Sequence, residues 1–410
     1  MHGRGSVPSL ALLAVAALPQ DWPQWGGPAR DFAAPAGELA DAWPAEGPRV
    51  LWRRDLGDGY SSLALVDGTL FTMLRRDENE VVVALDAATG ATLWEFRSAA
   101  PLPAKFDREV GLGPDATPLV VGERVFTVGT TVQLHALDRR TGKEAWAHDL
   151  RAEYGADFGT ERFSTSPIAI GELLVLPCGG PSRGVLAFRL DDGRLVWKRH
   201  DFPRSPASPI TIELGGARQL VCFTGEAAVG LDPTSGDLLW SSPHATKWGL
   251  NICTPVWGAD GLLFLGSAYD SGSEVLELTR AEDSYRVERL WSSRTKLRVH
   301  HGNVLRIDDH LYGSSGDTNP AFLQCIDVRS GELAWQERGF AKATLVRAGE
   351  KVVLLDEDGT LALVRLSPEK LEVLARAPLL SWPARTPPTL VGTRLYLRDW
   401  KEVIALDLGG

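Results

Sequence analysis

One short pattern recurs along the chain: an Asp, a Gly four residues later and a Trp four residues after that. Intact copies occur at Asp86-Gly90-Trp94, Asp138-Gly142-Trp146, Asp232-Gly236-Trp240 and Asp327-Gly331-Trp335, and Gly193-Trp197 keeps the second half behind Arg189. An apolar run precedes each copy. A strand, a turn whose Asp bonds the backbone and whose Gly accepts positive φ, and a second strand ending in Trp together predict a β-hairpin. Because the hairpin repeats, we expect units that stack radially or as a solenoid.

The spacing of the tryptophans sets the size of the repeating unit. Trp94, Trp146, Trp197, Trp240, Trp291 and Trp335 follow one another at intervals of 43–52 residues. Units of about four strands and ~40–50 residues are typical of β-propeller blades. Counting the third strand of each unit predicts an all-β fold, an eight-bladed β-propeller of four-stranded antiparallel blades. Seven blades is the alternative if the degenerate copy around Leu363 is not a blade.

The two ends of the propeller complement each other. Val50-Leu51-Trp52 resembles a last strand without its hairpin partner, and Val403 to Asp407 resembles a third strand without its Trp partner. Joining them in one blade removes an open sheet edge. We therefore expect a signal peptide over residues 1–20, an N-terminal extension over 21–48 and the propeller over 49–410.

The first residues have the form of an export signal. Arg4 precedes an apolar stretch from Val7 to Leu18, and small residues lead to Gln20. The stretch is too short to span a bilayer, so we expect cleavage between Ala16 and Gln20 and a periplasmic or secreted protein without a transmembrane segment. A disordered apolar tail is the alternative.

Charge and cysteine usage exclude several functions. The net charge is −10, and no basic stripe is present, so nucleic acid is not an expected partner. The four cysteines, Cys178, Cys222, Cys253 and Cys325, show no Cys-x-x-Cys spacing, which argues against a metal site. We expect the four cysteines to be buried thiols, with a disulfide as the alternative. We also expect a monomer.

Loop length separates the two faces of the predicted propeller. Turns within the first and last hairpins of each blade are short, whereas the connections between blades are long and emerge on the opposite face, which we call the long-loop face. A protein or small-molecule ligand is expected there, at the mouth of the central channel. The candidate ligand-binding residues that ring this mouth are Tyr60, Asp115, Arg162, Ser205, Asn251, His300, His301, Lys342 and Arg385, with Trp248 and Trp382 as aromatic walls. The alternative is that these groups cap strand ends and bond channel water.

His300-His301 is the sharpest local feature of the sequence. Adjacent residues on a strand face opposite sides, so the two imidazoles are not expected to share a metal ion. We expect one ring to point into the channel and the other into the blade, in a structural role.

The segments from Val81 to Trp94, Leu134 to Trp146, Ala228 to Trp240 and Leu323 to Trp335 resemble the PQQ-like (pyrroloquinoline-quinone-like) propeller repeat. Quinoprotein alcohol dehydrogenases and the non-catalytic BamB propeller share this repeat, in which the Trp docks between adjacent blades. The catalytic members have adjacent cysteines, a Ca²⁺ held by Glu and Asn, and an Asp base. This chain has no adjacent cysteines, and although Asn251, Asn303, Glu161 and Asp115 are of suitable types, their spacing does not identify that set. It also lacks the lipid-anchoring Cys of BamB.

These features predict an exported, non-catalytic binding or scaffold protein that uses its long-loop face and needs no catalytic residue, metal or cofactor. The alternative is an oxidoreductase of the quinoprotein alcohol dehydrogenase type, with PQQ and Ca²⁺ and with Trp248 stacked on the quinone. A further alternative is a hydrolase-type site, which requires His300 or His301 within hydrogen-bond reach of a carboxylate or hydroxyl.

Overall fold

The computed structural model describes residues 21–34, 37–44, 46–106, 111–156, 162–317 and 321–410. The predicted signal peptide (1–20) and Glu161 lie outside the described residues. Two strands precede the first blade, β1 (Ala33–Ala34) and β2 (Arg49–Asp55).

The remaining strands follow in groups of four. Blade 1 contains β3 (Ala64–Val66), β4 (Thr69–Arg76), β5 (Asn79–Asp86) and β6 (Thr92–Ala99), and blade 2 contains β7 (Leu119–Val121), β8 (Arg124–Val128), β9 (Gln133–Asp138) and β10 (Glu144–Asp149). After the short helix α1 (Leu150–Tyr154), blade 3 contains β11 (Ile168–Ile170), β12 (Leu173–Pro177), β13 (Val185–Arg189) and β14 (Leu195–Arg199). Blade 4 contains β15 (Ile210–Leu214), β16 (Ala217–Phe223), β17 (Ala227–Leu231) and β18 (Leu238–Pro243), and blade 5 contains β19 (Val256–Trp257), β20 (Leu262–Ser267), β21 (Gly272–Ala281) and β22 (Ser284–Ser293). Blade 6 contains β23 (Val304–Ile307), β24 (His310–Ser315), β25 (Phe322–Asp327) and β26 (Leu333–Glu337), and blade 7 contains β27 (Ala343–Ala348), β28 (Lys351–Asp356), β29 (Thr360–Leu366) and β30 (Leu371–Pro378). Blade 8 contains β31 (Thr389–Val391), β32 (Arg394–Arg398), β33 (Glu402–Asp407) and, as its outer strand, β2.

The sheets confirm an eight-bladed propeller. Each blade is an antiparallel sheet, and in blades 1–7 its strands are ordered as in the chain; β1 adds a fifth, parallel strand to blade 7 beside β27. The copy around Leu363 forms a complete blade, so the seven-blade alternative is wrong. Among the described residues we find no helix with the length and hydropathy that a membrane span needs.

Blade 8 is built from both ends of the propeller, as the sequence predicts. The outer strand β2 pairs antiparallel with β33, from Arg49 opposite Asp407 to Asp55 opposite Glu402. The ion pair between Arg53 and Glu402 joins residues that are 349 positions apart in the sequence. Every sheet of the ring is therefore completed without leaving a gap between the termini.

Five of the tryptophans on outer strands bond to the next blade, whereas the Trp240 indole bonds to Gln219 of its own blade. Trp94 of blade 1 donates an indole hydrogen bond to the carbonyl of Arg139 in the turn of blade 2 (2.9 Å), and its ring lies against Gly142 of the same turn. Equivalent bonds run from Trp52, Trp146, Trp291 and Trp335 to the carbonyls of Ala87, Leu190, Val328 and Ser367. The Trp therefore joins neighbouring blades, as the family resemblance implies.

The repeat aspartates organise the same turns. Asp86 accepts hydrogen bonds at Oδ1 from the backbone N–H groups of Ala88 (3.1 Å) and Thr89 (2.8 Å) and from the Thr89 hydroxyl (2.8 Å). Asp138, Asp232 and Asp327 repeat this arrangement. Hydrogen bonds to the charged form lower the pKa of each carboxyl, above all the bond from the turn hydroxyl in Asp86, Asp138 and Asp232.

We expect these turns to make stability depend on pH in acid. A carboxyl whose pKa is lower in the folded state adds stability above its unfolded pKa of about 4, and that stability is lost as pH falls through the folded pKa. A variant with Asp86, Asp138, Asp232 and Asp327 all changed to Asn keeps the accepting oxygen but does not titrate. Its melting temperature should fall less steeply than that of the unmodified protein between pH 5 and pH 3, as measured by circular dichroism. Equal slopes would contradict this role of the turns.

The N-terminal segment 21–34 crosses the central channel on the short-turn side. Trp22 exchanges backbone hydrogen bonds with Leu65 in blade 1, and the carbonyl of Pro23 accepts from Val120 in blade 2. The guanidinium of Arg30 donates to the carbonyls of Pro167 and Pro209, at the entries to blades 3 and 4. Further along, β1 pairs with β27 in blade 7. Because it contacts blades around the ring, the segment closes one end of the channel, and we call it the channel plug.

The cysteines are free and buried, which confirms the expected thiols and excludes the disulfide alternative. Burial raises the pKa of each thiol, for instance to about 12 in Cys178.

Candidate functional site

A blind cavity of about 410 Å³ occupies the channel on the long-loop face. It is lined by Trp25, Tyr60, Asp115, Arg162, Ser164, Pro206, Ser208, Leu250, Ile252, Tyr269, His300, His301, Gly302, Arg385 and Pro387. Most of these residues lie just before the first strand of a blade. Trp25, from the channel plug, donates an indole hydrogen bond to the hydroxyl of Thr254 (2.8 Å) and belongs to the floor. The volume is in the range that small-molecule sites occupy.

The cavity collects six of the candidate residues predicted from the sequence. Those six are Tyr60, Asp115, Arg162, His300, His301 and Arg385. Lys342 is next to the cavity, where its ammonium group lies 3.4 Å from His300 Nδ1. Trp248 and Trp382 are not walls of the cavity: their side chains are 65% and 59% exposed, outside it on the long-loop face. That geometry removes the stacking role that the quinoprotein alternative gave to Trp248.

Ser205 and Asn251 are instead part of the scaffold beneath the loops. The Ser205 hydroxyl donates to the carbonyl of Asn251 (2.5 Å), and the Asn251 amide group donates to the carbonyls of Thr224 (2.7 Å) and His244 (3.1 Å). Asn251 Oδ1 accepts from the hydroxyl of Ser267 (2.6 Å). Because the polar atoms of both side chains are engaged in the fold, these two residues hold loops together, as the structural alternative expects.

One wall of the cavity carries a carboxylate and a guanidinium. Asp115 accepts a hydrogen bond from the Ser164 hydroxyl (2.9 Å) and faces Arg162 at 3.5 Å. Arg162 also donates to the carbonyl of Gly111 (2.7 Å), and its guanidinium lies 5.8 Å from the ring centre of Tyr60. Burial raises the pKa of Asp115 even though Arg162 and Ser164 act to lower it.

The opposite wall carries the adjacent histidines. Both rings line the cavity and their centres are 4.0 Å apart, so the expectation that one points into the blade is wrong. Residues 300 and 301 form a bend rather than a strand, and Gly302 follows with φ of +109°, so strand alternation does not apply. Burial lowers the pKa of His300 to about 4, with help from the cations of Lys342 and Arg385, and burial also lowers the pKa of His301.

The histidines lack the contact that a hydrolase-type site requires. His300 Nδ1 accepts a hydrogen bond from the ammonium group of Lys342. Within the described part of the chain, neither ring has a carboxylate or hydroxyl as a hydrogen-bond partner. The geometry therefore does not support the hydrolase alternative.

A second guanidinium completes the polar lining. Arg385 lies 3.4 Å from the carboxylate of Glu357, which Lys342 also contacts at 3.3 Å. Arg385 also lies over the ring of Trp382, 5.9 Å from its centre. The cavity therefore presents two guanidinium groups, Arg162 and Arg385, to whatever enters it.

Sequence reasoning missed the floor and the apolar side of the cavity. Trp25 belongs to the predicted N-terminal extension, and Leu250, Ile252 and Tyr269 sit in loops without any repeat pattern. The one available signal is position, because Leu250 and Ile252 flank Asn251, which the sequence places at the channel mouth.

The described residues do not fit a calcium-bound quinone. Calcium takes six to eight oxygen ligands, preferably from carboxylates. Asp115 is the carboxylate of the described lining, and it is engaged with Arg162 and Ser164. The amide of Asn303 exchanges hydrogen bonds with the backbone of Leu345, and the Asn251 amide is engaged as described above. In the described ranges, no three His, Cys, Asp or Glu side chains converge as a metal site.

Comparison with known proteins agrees with this architecture. The chain is 24% identical over 363 residues to the outer membrane protein assembly factor BamB of Moranella endobia, a match covering 82% of this chain and 83% of that protein. The crystal structure of BamB from Moraxella catarrhalis superposes with a TM-score of 0.60 at 16% identity and covers 88% of this chain and 99% of that one. This likeness in structure concerns the fold alone.

Quinohemoprotein dehydrogenases share the repeat over a smaller region. The quinohemoprotein alcohol dehydrogenase ADH IIB of Pseudomonas putida is 27% identical over 211 residues, which is 48% of this chain but 29% of the dehydrogenase. A family model described as outer membrane protein assembly factor BamB matches residues 37–205 and 78–337. The chain therefore belongs to the PQQ-like repeat family of β-propellers that this model describes.

Proposed function

We propose that this protein is an exported, non-catalytic propeller that holds a protein partner on its long-loop face. The observation that carries the proposal is the placement of exposed apolar side chains. Among the described residues, Val50, Leu93, Val196, Leu238, Leu333 and Val373 are exposed on the outer strands of blades, whereas Trp248 and Trp382 are exposed on the long-loop face. Exposed tryptophan is enriched where proteins bind proteins.

Cations accompany the aromatic side chains of this face. The ammonium group of Lys247 lies 5.0 Å from the ring centre of Trp248, and that of Lys401 lies 4.2 Å from the ring centre of Trp400. Trp382 has Arg385 in the same position. Aromatic rings next to positive charges favour a partner whose contacting segment is acidic, because charge complementarity speeds association and selects the partner.

The relatives support the same function. The BamB proteins are, by name, assembly factors for outer membrane proteins, and the match to one of them spans most of both chains. The apolar stretch from Val7 to Leu18 supports export. A scaffold role also agrees with a cavity whose described lining lacks the oxygen ligands of a calcium-bound quinone.

Site-specific photo-crosslinking in cells tests the partner-binding face. We expect p-benzoylphenylalanine in place of Trp382 to crosslink to one dominant protein, and the same probe in place of Leu93, an equally exposed apolar residue on an outer strand, to give none. Changing Trp248→Ser and Lys247→Gln together should reduce the crosslink at position 382 at least fivefold. Equal crosslinking from positions 382 and 93 would contradict the proposal.

The cofactor alternative is tested on the purified protein. PQQ is titrated with and without Ca²⁺ while tryptophan fluorescence is recorded, and we expect no saturable, Ca²⁺-dependent quenching. Saturable quenching would instead favour a quinoprotein oxidoreductase and would justify assays with alcohols and an artificial electron acceptor.

A further inference from the structure

The described lining of the central cavity has more guanidinium groups than carboxylates. Arg162 is matched by Asp115, whose pKa is raised by burial. Arg385 shares the carboxylate of Glu357 with Lys342. The lining itself therefore has two guanidinium groups and one carboxylate, that of Asp115, which is biased toward its neutral form. Farther from the cavity, the carboxylate of Asp317 pairs with Arg298.

A third guanidinium lies buried beneath the floor. Arg30 of the channel plug donates to Gln24 Oε1 (3.0 Å) and to the carbonyls of Pro167 and Pro209. Pro209 follows Ser208, which lines the cavity. No carboxylate lies within ion-pair distance of Arg30 in the part of the chain that the structure describes. Burial lowers its pKa to about 9, so Arg30 stays charged at neutral pH.

Two groups of the lining have hydrogen-bonding capacity that the fold does not use. A guanidinium offers five N–H donors in a planar fork. The buried Nε of Arg385 lies 3.4 Å from Glu357 Oε2 in an ion pair that is not a hydrogen bond, and Arg385 donates no hydrogen bond to a described residue. The buried hydroxyl of Tyr60 has no hydrogen-bond partner among the described residues either. A carboxylate is the acceptor that suits such a fork, because it can take two parallel N–H bonds.

The lining also has an apolar part, which we call its apolar side. Trp25 of the floor, Pro206, Leu250 and Ile252 belong to it, together with Pro387, which lies two residues after Arg385. An occupant that satisfies both sides carries its charge at one end and an apolar or aromatic body at the other. An inorganic anion would leave the apolar side without contacts.

We propose that the central cavity is a binding site for a small organic acid with an apolar body, whose carboxylate pairs with Arg385 and Arg162. This inference does not require the protein partner proposed above. Arg385 belongs both to the cavity and, beside Trp382, to the partner face, whereas Trp248 is exposed outside the cavity and separates the two proposals. Burial is the main cause of the low pKa of His300; the cations of Lys342 and Arg385 lower it further, and Asp317 acts to raise it. A bound carboxylate should raise that pKa.

Calorimetry with matched ligands tests the proposal on the full-length mature protein at pH 7. Indole-3-acetate should bind at least tenfold more tightly than indole-3-acetamide, which has the same ring and no charge, and at least tenfold more tightly than acetate, which has no ring. Equal affinity for the acid and the amide, equal affinity for indole-3-acetate and acetate, or binding of none of the three would overturn the proposal.

Variants then locate the site. Arg385→Gln should weaken indole-3-acetate binding at least tenfold, whereas Arg338→Gln, which changes an exposed arginine of the same face, should leave it within twofold. Unchanged affinity in the Arg385→Gln protein would overturn the proposal.

An NMR titration of the wild-type protein gives a second test. Bound indole-3-acetate should raise the pKa of His300 above its value in the ligand-free protein, and an unchanged pKa would also overturn the proposal. Trp248→Ser should leave the affinity for indole-3-acetate within twofold and should weaken binding of the protein partner. The two measurements therefore distinguish failure of one proposal from failure of the other.

Discussion

Replacing Trp22 with alanine is expected to lower the free energy of unfolding by about 3–5 kcal/mol, the usual cost of removing a large buried aromatic side chain. Trp22 is 1% exposed and packs in the core cluster formed mainly by blades 1, 7 and 8. It also joins the channel plug to the ring, through its two backbone hydrogen bonds to Leu65. The measurement is urea denaturation followed by circular dichroism.

The matched control is another tryptophan. Trp248→Ala removes the same ring from a site that is 65% exposed, so it should change the free energy of unfolding by no more than about 0.5 kcal/mol. Limited proteolysis should also cut the channel plug earlier in the Trp22→Ala protein. If the two alanine variants lose equal stability, then the plug does not contribute to the core in the way described.

Gly142→Ala is expected to cost about 3 kcal/mol, from two separate causes. Gly142 has φ of +69°, a conformation that costs an L-residue about 1–2 kcal/mol. A Cβ at this position would also lie 2.5 Å from the ring of Trp94, which must then move away from the turn it docks on. Displacing a packed side chain in this way costs a further amount of about 1–3 kcal/mol.

Gly122→Ala separates the two causes. Gly122 lies in another turn of the same blade with φ of +54°, but a Cβ there would meet nothing within 4 Å. The free energy of unfolding of the Gly122→Ala protein should therefore fall only by the cost of the backbone conformation, about 1–2 kcal/mol. Equal losses in the two variants, measured by urea denaturation, would show that docking of Trp94 on the turn contributes nothing.

The blade count could be predicted because its signals are local. Asp86, Gly90 and Trp94 act within one turn and the neighbouring blade, and the same residue types recur at the same spacing. Loop length likewise placed the candidate residues at one end of the channel, since first strands begin where the long connections end. Six of those residues do line one cavity.

The floor of the cavity could not be predicted for the opposite reason. The hydrogen bond from Trp25 to Thr254 joins residues 229 positions apart, and no repeat links them. The hydrogen bonds from Arg30 to the carbonyls of Pro167 and Pro209 are also long-range, and they follow no repeat in the sequence. Asn251 was misjudged because residue type does not show whether a buried amide serves a ligand or the loops around it. His300 and His301 do line the cavity, but the expected directions of their rings were wrong because the chain bends at these residues instead of forming a strand.

The pairing of β2 with β33 also bears on how the protein is made. β2 precedes seven complete blades in the sequence, and its partner β33 follows them. Pairing of such distant segments is slow, since a long loop must close before the contact forms. Until then β2 is an unpaired strand edge, and such edges invite association with other chains. Newly made copies of this protein should therefore need protection from one another until β33 has paired with β2.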